Sequence, residues 1–137
     1  MLEQIALYLA GLPTFLLYFL VGGGLLLLYV FLYNLLTPLD EWQLIRQNDT
    51  AVSVGFAGSM LGFVVPLASA IHNAETLLGC LLWGAVALVV QLSAFFSVRL
   101  FLPSLTERLR QGEMASGLLL AAISLSVGLL NAASMTY

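Results

Sequence analysis

The sequence predicts an all-α integral membrane protein: one domain over residues 1–137, with four transmembrane helices in two tandem hairpins of parallel orientation, joined by short interfacial linkers on the cytoplasmic side. Three observations carry this reading. The 137 residues are 61% hydrophobic and 8% charged, against roughly 25% charged in an ordinary soluble domain. So much apolar surface in so small a fold would stand exposed in water. Four runs reach the ~20 residues that an apolar helix needs to cross the hydrocarbon core. None of the runs alternates polar and apolar positions, which argues against a β-barrel and leaves helices that satisfy their own backbone in lipid.

The elements follow in chain order. Met1 to Gln4 lack the basic start and the small-residue cleavage site of a signal peptide, so the first run is expected to stay in the protein. That run extends from about Thr14 to Leu36 and, after Thr14, is Leu, Phe, Tyr and Val apart from Gly22-Gly23-Gly24 and Asn34. With no strand before it and no lysine after it, the triple glycine is a packing feature rather than a phosphate loop. Thr37-Pro38-Leu39-Asp40 has a capping hydroxyl, a proline at the first helical position and an acid at the third, the start of a short surface helix. In it Leu39, Trp42 and Ile45 would dip into the headgroups, while Asp40, Gln43 and Arg46 stay wet; Glu41 belongs to the same linker. Trp42 anchors the interface. Asn48, Asp49 and Thr50 offer caps to the second run, about Ala51 to Ile71. The turn from His72 to Thr76 leads to the third run, about Leu77 to Leu102. Ser104-Leu105-Thr106-Glu107 repeats the capping-box spacing ahead of Arg108 and Arg110, and the fourth run spans about Ala115 to Met135.

All four arginines, Arg46, Arg99, Arg108 and Arg110, fall at or in the first and third connections, and the chain has no lysine. The positive-inside rule makes those connections cytoplasmic and both termini periplasmic. Arg99, in the last turns of its helix, can snorkel to the surface. A shift of 64 positions lays Arg46-Gln47 on Arg110-Gln111, Asp49 on Glu113, Ala51 on Ala115, Ala57 on Ala121, Leu61 on Leu125 and Ala68 on Ala132. The repeats are about 10–73 and 74–137, and each returns to its starting side, unlike the inverted repeats of many transporters.

The helices differ in kind. Gly, Ala and Ser supply 10 of residues 51–71 and 11 of residues 115–135, but only 3 of residues 15–36. Small residues let membrane helices approach closely. Gly55, Gly58 and Gly62 in the second run, with Gly117, Ser124 and Gly128 in the fourth, are expected at helix contacts, with those two helices central. The same faces would also serve a homo-oligomer.

Few residues carry chemistry. Pro66 removes a donor inside the second helix and marks either a static kink or a gate. Gln91 and Asn131 are amides in hydrocarbon, either bonded between helices or facing a polar cavity. His72, with Glu75, closes an interfacial turn or lines a pore mouth. The candidate polar path is therefore Pro66, His72, Gln91 and Asn131. No acid or lysine lies near mid-helix, which speaks against an ion-coupled carrier. With one histidine there is no nucleophile–base–acid set, so no enzyme is expected, and no cofactor. One cysteine, Cys80, rules out an intramolecular disulfide, and no Cys/His cluster has metal-ligand spacing. A net charge of -3 without a basic run excludes nucleic acid as a partner.

The chain resembles the YjfL-type bacterial inner-membrane family, a domain of unknown function. The resemblance rests on Thr37-Pro38 with Asp40-Glu41 and Leu44-Ile45, and on Asn48-Asp49-Thr50-Ala51. It continues through Gly58, Gly62, Pro66-Leu67-Ala68-Ser69-Ala70-Ile71-His72, Trp83, Gln91 and Gly128-Leu129-Leu130-Asn131-Ala132-Ala133-Ser134-Met135-Thr136. Gln47 departs from the pattern, which has glycine there, and bears on the entry to the second helix. The resemblance implies a bacterial cytoplasmic membrane and, as partners, envelope-stress proteins of the phage-shock and flotillin-like kind. Two functions fit the residues: a self-associating membrane scaffold that docks partners, or an oligomeric channel for a small ion or solute.

Overall fold

A backbone in lipid finds no water to bond, so each apolar run closes its own hydrogen bonds as a helix. The computed structural model describes residues 1–37, 41–102 and 104–135. Pro38, Leu39, Asp40 and Pro103 lie outside the described residues, so the expected linker start at Pro38 and Asp40 is not described. The elements are α1 (Leu2–Ala10), α2 (Leu12–Leu36), α3 (Glu41–Arg46), α4 (Thr50–Asn73), α5 (Leu77–Phe101), α6 (Leu105–Arg110) and α7 (Met114–Ser134). No strand occurs among the described residues. Four helical stretches are long and apolar enough to cross a membrane: Leu2–Leu36, Thr50–Asn73, Leu77–Phe101 and Met114–Ser134.

The first span starts earlier than the expected Thr14. Gly11, between α1 and α2, keeps helical angles (φ -81°, ψ -8°), so the stretch runs on for 35 residues. At 1.5 Å per residue that is ~52 Å, some 20 Å beyond the hydrocarbon core. Glu3 and Gln4 break the hydropathy but are good helix formers, and Pro13 sits in the first turn of α2, where its missing N–H is harmless.

Both linkers make the same backbone turn, 64 positions apart. Each short helix ends in a left-handed residue, Asn48 (φ 65°) and Gly112 (φ 77°). Gln47 N–H donates to Gln43 O as Gln111 N–H does to Glu107 O, both at 3.0 Å; Asp49 N–H donates to Leu44 O at 2.9 Å as Glu113 N–H does to Arg108 O at 3.0 Å. Glycine and asparagine are the residues that enter this conformation most cheaply. Asp49 then caps α4, accepting from Val52 N–H at 3.1 Å. Ser104 departs from the expected capping box: its hydroxyl makes no cap bond and accepts instead from Arg108 Nε at 2.9 Å.

The tightest contact in the molecule joins α4 to α7. A Cβ built on Gly58 would meet Ala121 Cβ at 2.3 Å, one on Gly62 would meet Ser124 O at 2.3 Å, and one on Gly128 would meet Gly62 O at 2.0 Å. A Cβ on Gly117 would meet Ala51 O at 2.5 Å. Each contact joins positions 62 to 66 apart, so the two helices run side by side in the same direction, residue i close to residue i+64. α2 and α5 flank this pair. α5 buries Gly84, Ala87, Gln91, Phe95 and Val98, but α2 buries only Gly22, Tyr29 and Tyr33. Tyr29 stacks on Phe63 (4.8 Å), and Tyr33 meets Phe56 (5.3 Å) and Phe95 (4.9 Å). Arg99 donates from Nη1 to Leu36 O at 3.2 Å, closing the end of α2.

Candidate functional site

Each of the four spans brings one polar side chain to a common depth: Tyr29 from α2, Ser59 from α4, Gln91 from α5 and Ser124 from α7. All four are almost fully buried. Ser59 lies nine residues into α4 and Ser124 ten into α7, about 13–15 Å from the linker ends, close to mid-bilayer. Gly62 makes the room. A side chain there would stand 2.5 Å from Gln91 Nε2. Across that gap Gln91 Nε2 donates to Ser124 O at 2.9 Å. The hydroxyls of Ser59 and Ser124 face each other at 3.4 Å. Those of Tyr29 and Tyr33 both lie near the Ser59 hydroxyl. The Tyr29 hydroxyl and Gln91 Oε1 make no hydrogen bond, although such groups in hydrocarbon favour a partner. The centre is therefore neutral, built of hydroxyls and one amide, with a spare donor and a spare acceptor.

The sequence-derived candidates divide around this centre. Gln91 is in it, and Ser124 supplies its partner carbonyl. Pro66 is buried one turn along α4 and withholds the N–H that Gly62 O would accept. Gly128 presses its Cα on that carbonyl, the arrangement of a Cα–H···O contact. The freed acceptor thus faces the neighbouring helix rather than a cavity. Asn131 lies seven residues beyond Ser124, ~10 Å along α7, with Nδ2 buried and unbonded. His72 is exposed at the far end of α4. Among the described residues the four candidate path residues are spread along the bundle, from Gln91 in the centre to His72 at the end of α4. Gly55, Gly58, Gly62, Gly117, Ser124 and Gly128 all lie buried in α4 and α7.

At the linker end, Trp42 is half exposed and packs edge-on against Phe56 (5.5 Å). Arg46 is exposed at the end of α3. Arg108 pairs with Glu113 at 3.2 Å, and Arg110 with Glu107 at 3.9 Å. The two linkers meet over a polar hollow of about 420 Å³, lined by Gln47, Asn48 and Asp49 from the first and Arg110, Gln111 and Gly112 from the second. Thr37 turns its hydroxyl to Tyr33 O (2.8 Å) and to the carboxyl of Glu41; the backbone groups that it was expected to cap lie outside the described residues. Glu41, read as a linker residue, is 2% exposed. Sequence reasoning also passed over Tyr29. The available signal was the four-residue spacing Tyr29, Tyr33, Thr37, Glu41, which repeats polar groups on one line.

A family model described as Domain of Unknown Function (DUF350) matches residues 6–135. The chain is 41% identical over 129 residues to the UPF0719 inner membrane protein YjfL of Escherichia coli (strain K12), covering 94% of this chain and 98% of that one. It matches the protein of the same description from Escherichia coli O157:H7 equally well. The UPF0719 transmembrane protein YshE of Bacillus subtilis (strain 168) is 23% identical over 120 residues, 86% of this chain and 90% of that one. No solved structure matches.

Proposed function

This chain belongs to the DUF350 family of inner membrane proteins, and on that premise we propose that it is a non-enzymatic membrane component that self-associates and docks partners, in envelope-stress responses. The supporting observation is α2. It buries three of its 25 residues, and a Cβ on Gly23 or Gly24 would touch nothing within 4 Å. The small residues of α4 and α7 are spent on each other inside the chain, so Gly23-Gly24 is an open small-residue surface left for another helix. The linkers, whose arginines put them in the cytoplasm and the termini in the periplasm, offer Trp42, Arg46 and Arg108 to partners. Cysteine cross-linking in a Cys80→Ser background tests the association. Gly23→Cys is expected to form a dimer and Gly58→Cys is not; monomer at Gly23 under conditions that trap a known membrane dimer refutes it. An impermeant thiol reagent added outside should label Glu75→Cys and spare Gln111→Cys. The reverse pattern would invert the topology.

A second reading is an oligomeric channel for a small ion or solute. It is favoured by the buried polar atoms without partners, Tyr29 Oη, Gln91 Oε1 and Asn131 Nδ2. Within one chain Gly62 and Gly128 touch and close the centre, so the path would run between copies, selecting by size and polarity. Flux through the protein in liposomes, altered by both Pro66→Ala and Asn131→Leu, would support it. Absence of flux from folded protein refutes it.

A further inference from the structure

We propose that Glu41 is a proton-binding site, holding its carboxyl neutral at neutral pH and donating to Thr37. The reasoning is a count of hydrogens. Thr37 Oγ1 lies within bonding distance of two oxygens, Tyr33 O at 2.8 Å and Glu41 Oε1. A hydroxyl has one hydrogen and two lone pairs, while a backbone carbonyl and an ionised carboxylate only accept. Thr37 cannot donate to both. Tyr33 O has no hydrogen to give, so the second hydrogen comes from the carboxyl. Glu41 donates to Thr37 Oγ1, and Thr37 donates to Tyr33 O in the back-bond common for threonine in helices.

The surroundings favour the neutral form. Glu41 is 2% exposed, and removing a carboxylate from water costs far more than removing the acid. From α2 the facing titratable group is Tyr33, another acid. α3 packs on α4, whose buried residues at that end are Ala51, Val52 and Phe56. From α5, Arg99 donates from Nη1 to Leu36 O at 3.2 Å and keeps its positive charge, which works against the neutral form and is outweighed here by burial. On α3 itself Arg46 is exposed in the last turn. This proton does not depend on the proposed association. It gives the linker a titratable latch: ionisation removes the hydrogen that joins α3 to α2, so the folded form that holds it loses stability as pH rises through the value at which Glu41 ionises.

Infrared spectroscopy of the full chain in lipid vesicles, with glutamate ¹³C-labelled at the side-chain carboxyl, tests the assignment. At pH 7 the wild type should show a band from a protonated carboxyl that disappears in Glu41→Gln and moves to higher frequency in Thr37→Val, where the acceptor is gone. A wild-type spectrum with no such band, or a band unmoved by Thr37→Val, overturns it. If Glu41→Gln fails to fold, a pH titration of the labelled wild type decides. The other glutamates, Glu3, Glu75, Glu107 and Glu113, are exposed or half-buried, so one carboxyl ionising well above them supports the assignment, and all five ionising together overturns it.

Discussion

Replacing Gly128 with alanine is the sharpest probe of how this bundle is held together. The added Cβ would lie 2.0 Å from Gly62 O, 2.8 Å from Gly62 C and 2.9 Å from Gly62 Cα. All three are backbone atoms and cannot rotate away. Relief requires α4 and α7 to part by roughly 1 Å, which also opens the Gly58–Ala121 and Gly117–Ala51 contacts. A gap of that size forfeits a quarter to a half of each atom pair's attraction, at ~0.1–0.2 kcal/mol per pair. For a seam comparable to one buried leucine, about 40–60 pairs, the loss is ~2–4 kcal/mol. Alanine returns ~1 kcal/mol of helix propensity. The expected net destabilisation is therefore about 1–3 kcal/mol, read as the shift in unfolding free energy during denaturant titration in mixed micelles. Gly55→Ala should cost less, because its nearest obstacle is the movable Leu120 side chain at 3.0 Å. Gly23→Ala should be neutral or stabilising, since nothing lies within 4 Å. Gly128→Ala within about 0.5 kcal/mol of wild type, or no worse than Gly23→Ala, would refute the close-contact account.

Three further outcomes are expected in the same assay. Asp49→Ala should lose about 1 kcal/mol through the missing cap on Val52 N–H, and Asp49→Asn should retain most of it. Tyr29→Phe should leave stability unchanged or raise it, because the hydroxyl removed is buried without a bond; a loss above ~1 kcal/mol would show that the hydroxyl has a partner. The paired linker turns should respond oppositely: Gly112→Ala should destabilise by about 1 kcal/mol at φ 77°, while Asn48→Gly, at φ 65°, should be neutral or mildly stabilising.

The spans were legible because hydrophobicity is a local property: 20 apolar residues suffice to place a helix in lipid. The start of the first span was not, because helix propensity carries through Glu3 and Gln4 where hydropathy stops. Glycine spacing shows which faces are narrow. The register, with Gly62 on Ser124 and Gly128 on Gly62, arises only when two helices are packed. Gln91 stood out as an amide in hydrocarbon, yet its partner is a backbone carbonyl, which every residue carries and no sequence marks. The burial of Glu41 was not legible for a related reason. A six-residue linker helix can turn either face to the bundle, and α4 decides which.

The register of the central pair bears on what the molecule can do. Two identical helices that pack in parallel about a twofold axis place each residue near its own copy. α4 and α7 do this with repeat equivalents, every close contact joining positions 62 to 66 apart, and the matched turns at Asn48 and Gly112 launch them in the same direction. The geometry is that of a parallel dimer of two-helix units written into one chain. A small-residue dimer surface that is already satisfied internally is no longer offered to a second molecule. The proposed association is accordingly assigned to α2, whose face is apolar and whose Gly23 and Gly24 are open. Because α2 also carries Tyr29 into the polar centre and leads into Thr37 beside Glu41, whatever binds α2 acts on a helix that reaches both buried polar groups. This distinguishes the two proposed functions physically. A scaffold needs only the outer face of α2, so Tyr29→Phe and Gln91→Leu should leave a Gly23→Cys cross-link intact. A channel between copies needs more than that contact: Asn131→Leu, at a half-buried amide of α7, should change its conductance.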